Sequence, residues 1–155
     1  MKRQLAAILA LDVSGYSRLL GLDELGTFSA WKIRRAEIID PKIASYQGKI
    51  ENVAGDGMLV VFDSVVNALI CAIDIQKTLS NHDSNIDSDR RIILRIGINV
   101  GDITVEEGVV FGDAVNVAFR LEALAQPGEI FVSGSAKEHV EKKLNISFDF
   151  LGKKE

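Results

Sequence analysis

An α+β fold is predicted, with elements in the order β-α-β-β-α-β followed by an appended α-β unit, and three stretches carry that prediction. In residues 48–62, two short apolar runs, 50–54 and 58–62, flank Gly55-Asp56-Gly57. Apolar runs joined by a Gly/Asp tight turn are a strong local hairpin signal. The run from Leu5 to Leu11 is continuously apolar, which suits a strand covered on both faces. Two helix-period segments, 22–46 and 65–79, lie on either side of the hairpin. The order fits a ferredoxin-like βαββαβ, palm-type core, a central and mainly antiparallel sheet flanked by helices.

Taken in order, the N-terminal run closes at Asp12 and enters a small polar loop, Ser14-Gly15-Tyr16-Ser17. Met1-Lys-Arg ahead of a short apolar run superficially resembles a signal peptide, but the run is at the short limit and the strand reading uses the same residues. No stretch approaches the ~20 apolar residues of a membrane span. Residues 22–46 place Leu25, Phe28, Ile33, Ala36, Ile39 and Ile43 at helical spacing. Asp40-Pro41 must interrupt this helix, as a kink or as an N-cap with proline at the first helical position.

After the hairpin, Asp63-Ser64 can cap a helix whose apolar face is Val65, Val66, Leu69, Ala72, Ile73, Gln76 and Leu79, with Ile75 flanking it. Residues 80–90 are nearly free of apolar groups and read as a solvated loop. A strand over 92–99 alternates Ile92, Leu94, Ile96 and Ile98 with Ile93, Arg95, Gly97 and Asn99, and runs on past Gly101 to Val105. Glu106-Glu107-Gly108 is a turn, and a helix from Gly112-Asp113 to about Ala125 stops near Pro127-Gly128. A strand at 129–132, a helix near 135–143 and a last strand at 146–151 complete the chain.

At 155 residues the chain reads as one domain, 1–155, able to bury about two-thirds of its unfolded surface without disulfides or metals. The net charge of −4, from 18 basic and 22 acidic residues, offers no broad attraction for nucleic acid or an anionic membrane. Any polyphosphate therefore needs a local basic site. The single Cys71 lies in a helical apolar pattern, where it reads as a small buried hydrophobe; it can form no internal disulfide, and a reducing cytoplasm is the expected compartment. His82 and His139 are far apart and lack the neighbours of a metal or catalytic cluster, so both are read as surface residues.

Two carboxylates stand out. Asp56 is lifted to a hairpin tip between glycines, either as plain turn chemistry or as a carboxylate with open space for a ligand or metal. Asp12 ends a buried strand, where sheets of this type commonly hold ligands, although Asp12 or Ser14 could equally start a helix as its N-cap. Acids at the ends of neighbouring strands can hold Mg²⁺, a hard cation usually shared with substrate phosphates.

Four blocks then carry a family resemblance: residues 6–19 (AAILALDVSGYSRL), 48–57 (GKIENVAGDG), 95–102 (RIGINVGD) and 111–122 (FGDAVNVAFRLE). In their order, and over nearly the whole chain, they resemble the class III adenylate/guanylate cyclase catalytic domain, especially its bacterial group. The resemblance implies that Asp12 and Asp56, with the Val13 carbonyl, bind two Mg²⁺ or Mn²⁺ ions. It implies that Ser14, Gly15, Tyr16 and Ser17 offer amides to a triphosphate. Asn116 would orient the ribose and Arg120 would stabilise charge on the α-phosphate. On spacing alone, Arg120 is a helix-surface ion pair with Glu122 or Asp113.

Asn52 and Val109 stand at the purine-specifying positions and depart from the usual residues there. Asn can pair with adenine or guanine, and valine with neither. The implied reaction is conversion of ATP, favoured over GTP, to cyclic AMP at a homodimer interface where the aspartates of one subunit face the Asn and Arg of the other. A guanylate cyclase or a non-catalytic dimerising or nucleotide-sensing module is the alternative. In the family a triphosphate-contacting lysine and a final strand follow the position matching 151–155. Lys153 and Lys154 arrive a few residues early, so this form is expected to turn over slowly and to gain rate when a family-like segment bearing that lysine is appended.

Overall fold

A computed structural model describes residues 2–87 and 90–145. The predicted last strand at 146–151, Lys153 and Lys154 lie outside the described residues. The sheet is built on β1 (Lys2–Val13), with β2 (Lys49–Ala54), β3 (Gly57–Phe62), β4 (Leu94–Glu106) and β5 (Val109–Phe111) in the order β2-β3-β1-β4-β5. Those pairings are all antiparallel, and β6 (Ile130–Val132) adds in parallel to β4. The architecture is the α+β, ferredoxin-like one predicted. As the continuous apolar run implied, every residue from Ala6 to Leu11 is buried, because helices cover both faces of the central strand.

The larger core lies on one face. Leu9, Leu11, Val13, Met58, Val60, Phe62, Leu94, Ile96 and Ile98 meet residues of α2 (Glu24–Arg34), α3 (Asp40–Ser45), α4 (Val65–His82) and α6 (Gly134–Glu141) there. The opposite face carries Ala6, Ile8, Ala10, Leu59, Val61 and Ile103, and α5 (Asp113–Leu124) packs on it through Val115 and Ala118. Burying each large aliphatic side chain contributes about 1.5–3 kcal/mol. Gly97 and Gly101 make the seat for α5: a Cβ at Gly97 would stand 2.4 Å from the Ala118 carbonyl oxygen, and one at Gly101 2.7 Å from the Ala114 Cβ.

Several details differ from expectation. On α2, Leu25, Phe28 and Ile33 are 82%, 51% and 47% exposed, and the inward face is Thr27, Trp31 and Arg34. Burial there follows two polar anchors rather than apolar size. The Trp31 indole donates to the Gly55 carbonyl at the hairpin, and the Arg34 guanidinium finds its partner inside, on Asp83 at 2.9 Å. Asp83 belongs to the stretch read as solvated, yet it is 1% exposed and also accepts from the Ile92 amide. The helix α4 extends to His82, whose Nδ1 lies 2.8 Å from Asp83, and Ile75, expected to flank the apolar face, sits fully buried within it.

Asp40-Pro41 does interrupt the long helix, as a π-helical turn over Arg35–Ile39 in which the Asp40 amide reaches back to the Arg35 carbonyl. Proline then takes the first turn of α3. Finally, the turn after β4 brings in a short strand, β5, that the sequence reading lacked. Glu107 and Gly108, at φ 51° and 79°, close that hairpin.

Candidate active site

Alternation along β1 puts Ala6, Ile8, Ala10 and Asp12 on the face that α5 covers, and Asp12 is the first of them that is charged. Its cross-strand partner is Arg95 of β4. Arg95 Nε donates to Asp12 Oδ1 at 2.9 Å and Nη2 donates to Oδ2, a bidentate pair. Glu122, 6% exposed on the inner side of α5, lies 3.7 Å from the same guanidinium. Burial, followed by the neighbouring Asp12, pushes the Glu122 carboxyl up to about 8. The hydrogen bonds to Asp12 hold the Arg95 guanidinium above its ordinary pKa.

Asp56 reaches the same end of β1 from the hairpin. The two-residue loop Gly55-Asp56 joins the paired Ala54 and Gly57. Gly55 takes φ 61°, the left-handed value that a type II′ turn demands of its first central residue; Gly57 needs no such freedom. Asp56 Oδ2 accepts from the Val13 amide at 3.0 Å. Burial pushes the Asp56 carboxyl above its usual range, and Asp12 adds to that. Tyr16, at the start of α1 (Tyr16–Leu22), has its phenol raised by burial and then by the charge of Asp56.

The expected phosphate loop begins here. The Ser14 amide is taken by the Ile93 carbonyl at 2.7 Å. The amides of residues 15–17 lead into α1, whose N-cap Gly15 sits at φ 64° and offers no side-chain cap. Among the described residues no group of three or more His, Cys, Asp or Glu could hold a metal. Asp12 and Asp56 together offer two carboxylates, fewer oxygens than a hard divalent cation takes.

Asn52 arrives at this face by way of a β-bulge. Ile50 pairs with Val60 and Asn52 with Leu59, so Glu51 is the extra residue. Strict alternation would have sent Asn52 into the large core beside Ile50. The bulge turns it to the α5 face instead, in one row with Leu59, Ala10 and Gly97. Asn52 is therefore two strand spacings, about 10 Å, from Ala10. The structure does not bring Val109 to this face: Val110, opposite Val105, packs toward the α5 side, and Val109 is 59% exposed.

Asn116 and Arg120, one turn apart on α5, are both exposed. Arg120 and Glu122 are separated by about 200° around the helix, so one points away from the sheet when the other points into it. Among the described residues Arg120 pairs with Asp113, at 3.8 Å with side chains 62% and 87% exposed, a pair that water largely screens. Within one chain, then, Asn116 and Arg120 share a face with each other but not with Asp12 and Asp56. The residues that sequence reasoning did not single out are Arg95, Glu122 and Trp31. A charged residue in an otherwise apolar central strand, and a carboxylate among the inward positions of a helix, were the available signals.

The family model described as adenylate and guanylate cyclase catalytic domain matches residues 37–155. The putative adenylate cyclase 3 of Rhizobium meliloti (strain 1021) is 44% identical over 148 residues, covering 96% of this chain and 25% of that protein. The adenylate cyclase of Streptomyces coelicolor is 30% identical over 142 residues, covering 89% of this chain and 34% of that protein. The chain thus spans only about a quarter to a third of these relatives' length. Among solved structures, the adenylate/guanylate cyclase/hydrolase from Silicibacter pomeroyi superposes with a TM-score of 0.89 at 45% identity, over 98% of this chain and 88% of that one.

Proposed function

The chain belongs to the adenylate and guanylate cyclase catalytic domain family, and from that premise we propose that it cyclises a purine nucleoside triphosphate, ATP ahead of GTP, at a site shared by two copies. The products are the 3′,5′-cyclic nucleotide and pyrophosphate. One observation carries this reading: Asp12 and Asp56 meet at strand ends on the inner side of α5, while Asn116 and Arg120 leave its outer side. Two half-sites on opposite sides of one chain become whole sites when a twofold axis relates two chains. The names of the Rhizobium and Streptomyces relatives favour ATP.

Asp12 and Asp56, with the Val13 carbonyl, would hold Mg²⁺ or Mn²⁺. The all-oxygen donor set fits a hard cation, and the guanidinium resting on Asp12 marks that carboxylate as a seat for positive charge. When bound, such ions neutralise the triphosphate and lower the pKa of the 3′-hydroxyl. The amides of residues 15–17 would donate to phosphate oxygens at the start of α1. Asn52 would meet the purine edge as donor or acceptor. From the second copy, Asn116 would orient the ribose so that its 3′-oxygen lies in line with the α-phosphorus. The partner's Arg120 would balance charge on the α-phosphate as the bond to the pyrophosphate oxygen breaks. No covalent intermediate with the protein is required. We assign the reaction to the cytoplasm, in keeping with the single, buried, free Cys71.

A second reading, a non-catalytic dimerising or nucleotide-sensing module, is favoured by Arg95 engaging both oxygens of Asp12 and by the outward placement of Val109. Incubation with ATP or GTP and Mn²⁺, followed by chromatography for the cyclic nucleotide, separates the two. Formation of cyclic AMP supports the enzyme, and nucleotide binding without any cyclic product supports the module.

A further inference from the structure

The hairpin tip that carries Asp56 is held from two sides. On one side Asp56 Oδ2 accepts from the Val13 amide at 3.0 Å. On the other, the indole Nε1 of Trp31 donates to the Gly55 carbonyl oxygen at 3.2 Å, across 24 residues of chain. Besides the strand pairing that ends at Ala54 and Gly57, few side chains pack at the tip. Asn52, Val53, Ala54 and Gly55 are exposed, and a Cβ built on Gly55 would meet nothing within 4 Å. An exposed hairpin end with few packed side chains opens readily unless specific bonds close it. Trp31, by contrast, is rigidly placed: it is 3% exposed on the inner face of α2, within the larger core.

We propose that Trp31 is a positioning residue for the Asp56 carboxylate, acting through the Gly55–Asp56 peptide. A peptide unit is planar, so anchoring the Gly55 oxygen also orients the Asp56 N–H, which points the opposite way. That same peptide unit leads directly into the Asp56 Cα, from which the carboxylate springs. The indole thus sets the peptide plane, the plane fixes where the Asp56 Cα enters the turn, and the Val13 amide holds the carboxylate at its far end. The inference rests on the reading of Asp56 as a metal ligand. Outer partners of this kind orient a ligating carboxylate, and their loss typically weakens metal binding about 10–100-fold.

Two replacements test it in the full chain: Trp31→Phe, and incorporation of the benzothiophene analogue of tryptophan, which keeps the bicyclic shape and lacks only the N–H. Mn²⁺ binding without nucleotide is measured by the electron paramagnetic resonance of the free ion, with Asp56→Ala as reference. Hydrogen exchange over residues 54–57 reports the tip independently of metal. We expect the analogue to unfold at nearly the wild-type temperature, to exchange faster at the tip and to bind Mn²⁺ about 10–100-fold more weakly. The metal concentration for half-maximal turnover should rise in step, while kcat at saturating metal changes little. Because Trp31 is the only tryptophan in the chain, Mg²⁺ titration of the wild type should also alter its emission, and that change should vanish in Asp56→Ala.

If the analogue exchanges faster at the tip yet binds Mn²⁺ like the wild type, the bond is structural only and the positioning role is overturned. If the wild type binds Mn²⁺ no better than Asp56→Ala, the metal reading of Asp56 itself falls and takes this inference with it. Should Trp31→Phe fail to fold, the shape-preserving analogue decides alone.

Discussion

Asp12 and Arg95 stand directly opposite each other on adjacent antiparallel strands, 83 residues apart in sequence, and the guanidinium grips both carboxylate oxygens. Two further carboxylates act on the same pair, since both Glu122 and Asp56 help to hold Arg95 charged. Arg95 thus lies among three acidic side chains at this strand end, and its removal leaves the Asp12 carboxylate without its partner. Arg95→Gln should lose about 1–3 kcal/mol in urea unfolding, because a charge-assisted hydrogen-bonded pair is broken while its acids stay behind. Adding Mg²⁺ or Mn²⁺ should restore part of that loss, since a ligand that binds only the native state stabilises it. A metal-free stability equal to wild type would refute the arrangement.

Asp12→Ala and Asp56→Ala should each lower metal-dependent turnover by roughly 10²–10³-fold or more while leaving the chain folded, judging by the loss of one preorganised charge-stabilising group. Full activity in either variant would remove the metal assignment. Asp56→Ala should be the milder in stability, because its carboxyl is raised by burial and gives up only the Val13 amide, whereas Asp12 leaves Arg95 without its main partner.

The opposite orientations of the two half-sites predict complementation. Mixing inactive Asp56→Ala with inactive Arg120→Ala should recover activity, because one of the two sites in a heterodimer keeps every residue. Native mass spectrometry would establish that heterodimers form. Their presence without any recovered turnover would exclude a shared site.

Glu122 predicts an unusual pH dependence. Its carboxyl is pushed up to about 8 in the folded protein from its ordinary 4.5, so the native state retains a proton that the unfolded chain releases. Bound protons favour the native state, so this contribution is complete below 4.5 and is lost as pH rises through about 8. Asp56, also raised, acts in the same direction. Asp74, lowered by Lys42 first, acts in the other: its contribution is lost as pH falls. Glu122→Gln should flatten the decline in stability between 4.5 and 8, measured by urea unfolding at several pH values in that window. An unchanged slope would mean that Glu122 is not the group responsible.

Gly97 tests the seat of α5. An added Cβ would lie 2.4 Å from both the Ala118 carbonyl oxygen and the Glu122 amide, atoms of a helix backbone that cannot turn aside. Gly97→Ala should therefore destabilise by about 1–3 kcal/mol or more, as overpacking does, and should shift Glu122 away from Arg95. A variant as stable as wild type would show that the helix rides higher than described.

Much of this was legible in the chain itself. Residues 6–11 announce a doubly covered strand, although Leu5 at the head of the same apolar run is 61% exposed; the glycine and aspartate at 55 and 56 announce a hairpin, and Ser64 and Gly112 lie at the starts of α4 and α5. Each of these signals is local: a period, a turn residue or a cap acts over a few residues, so the sequence contains it whole. Asp12 and Asp56 could be picked out for the same reason, as charges at the ends of apolar runs.

What tertiary structure alone decided is how those pieces face one another. A single extra residue at Glu51 reverses the parity of β2 and moves Asn52 from the core side to the α5 side. Burial of two polar groups, Trp31 and Arg34, turns α2 so that Leu25 and Phe28 face outward and the indole reaches the hairpin. Register between β1 and β4 sets Arg95 on Asp12, and the contact of α5 with Gly97 brings Glu122 to both. The sequence by itself determined the elements and the chemical types at their ends. Face, register and charge environment depend on partners distant along the chain, and those partners meet only once the sheet has paired and the helices have packed upon it.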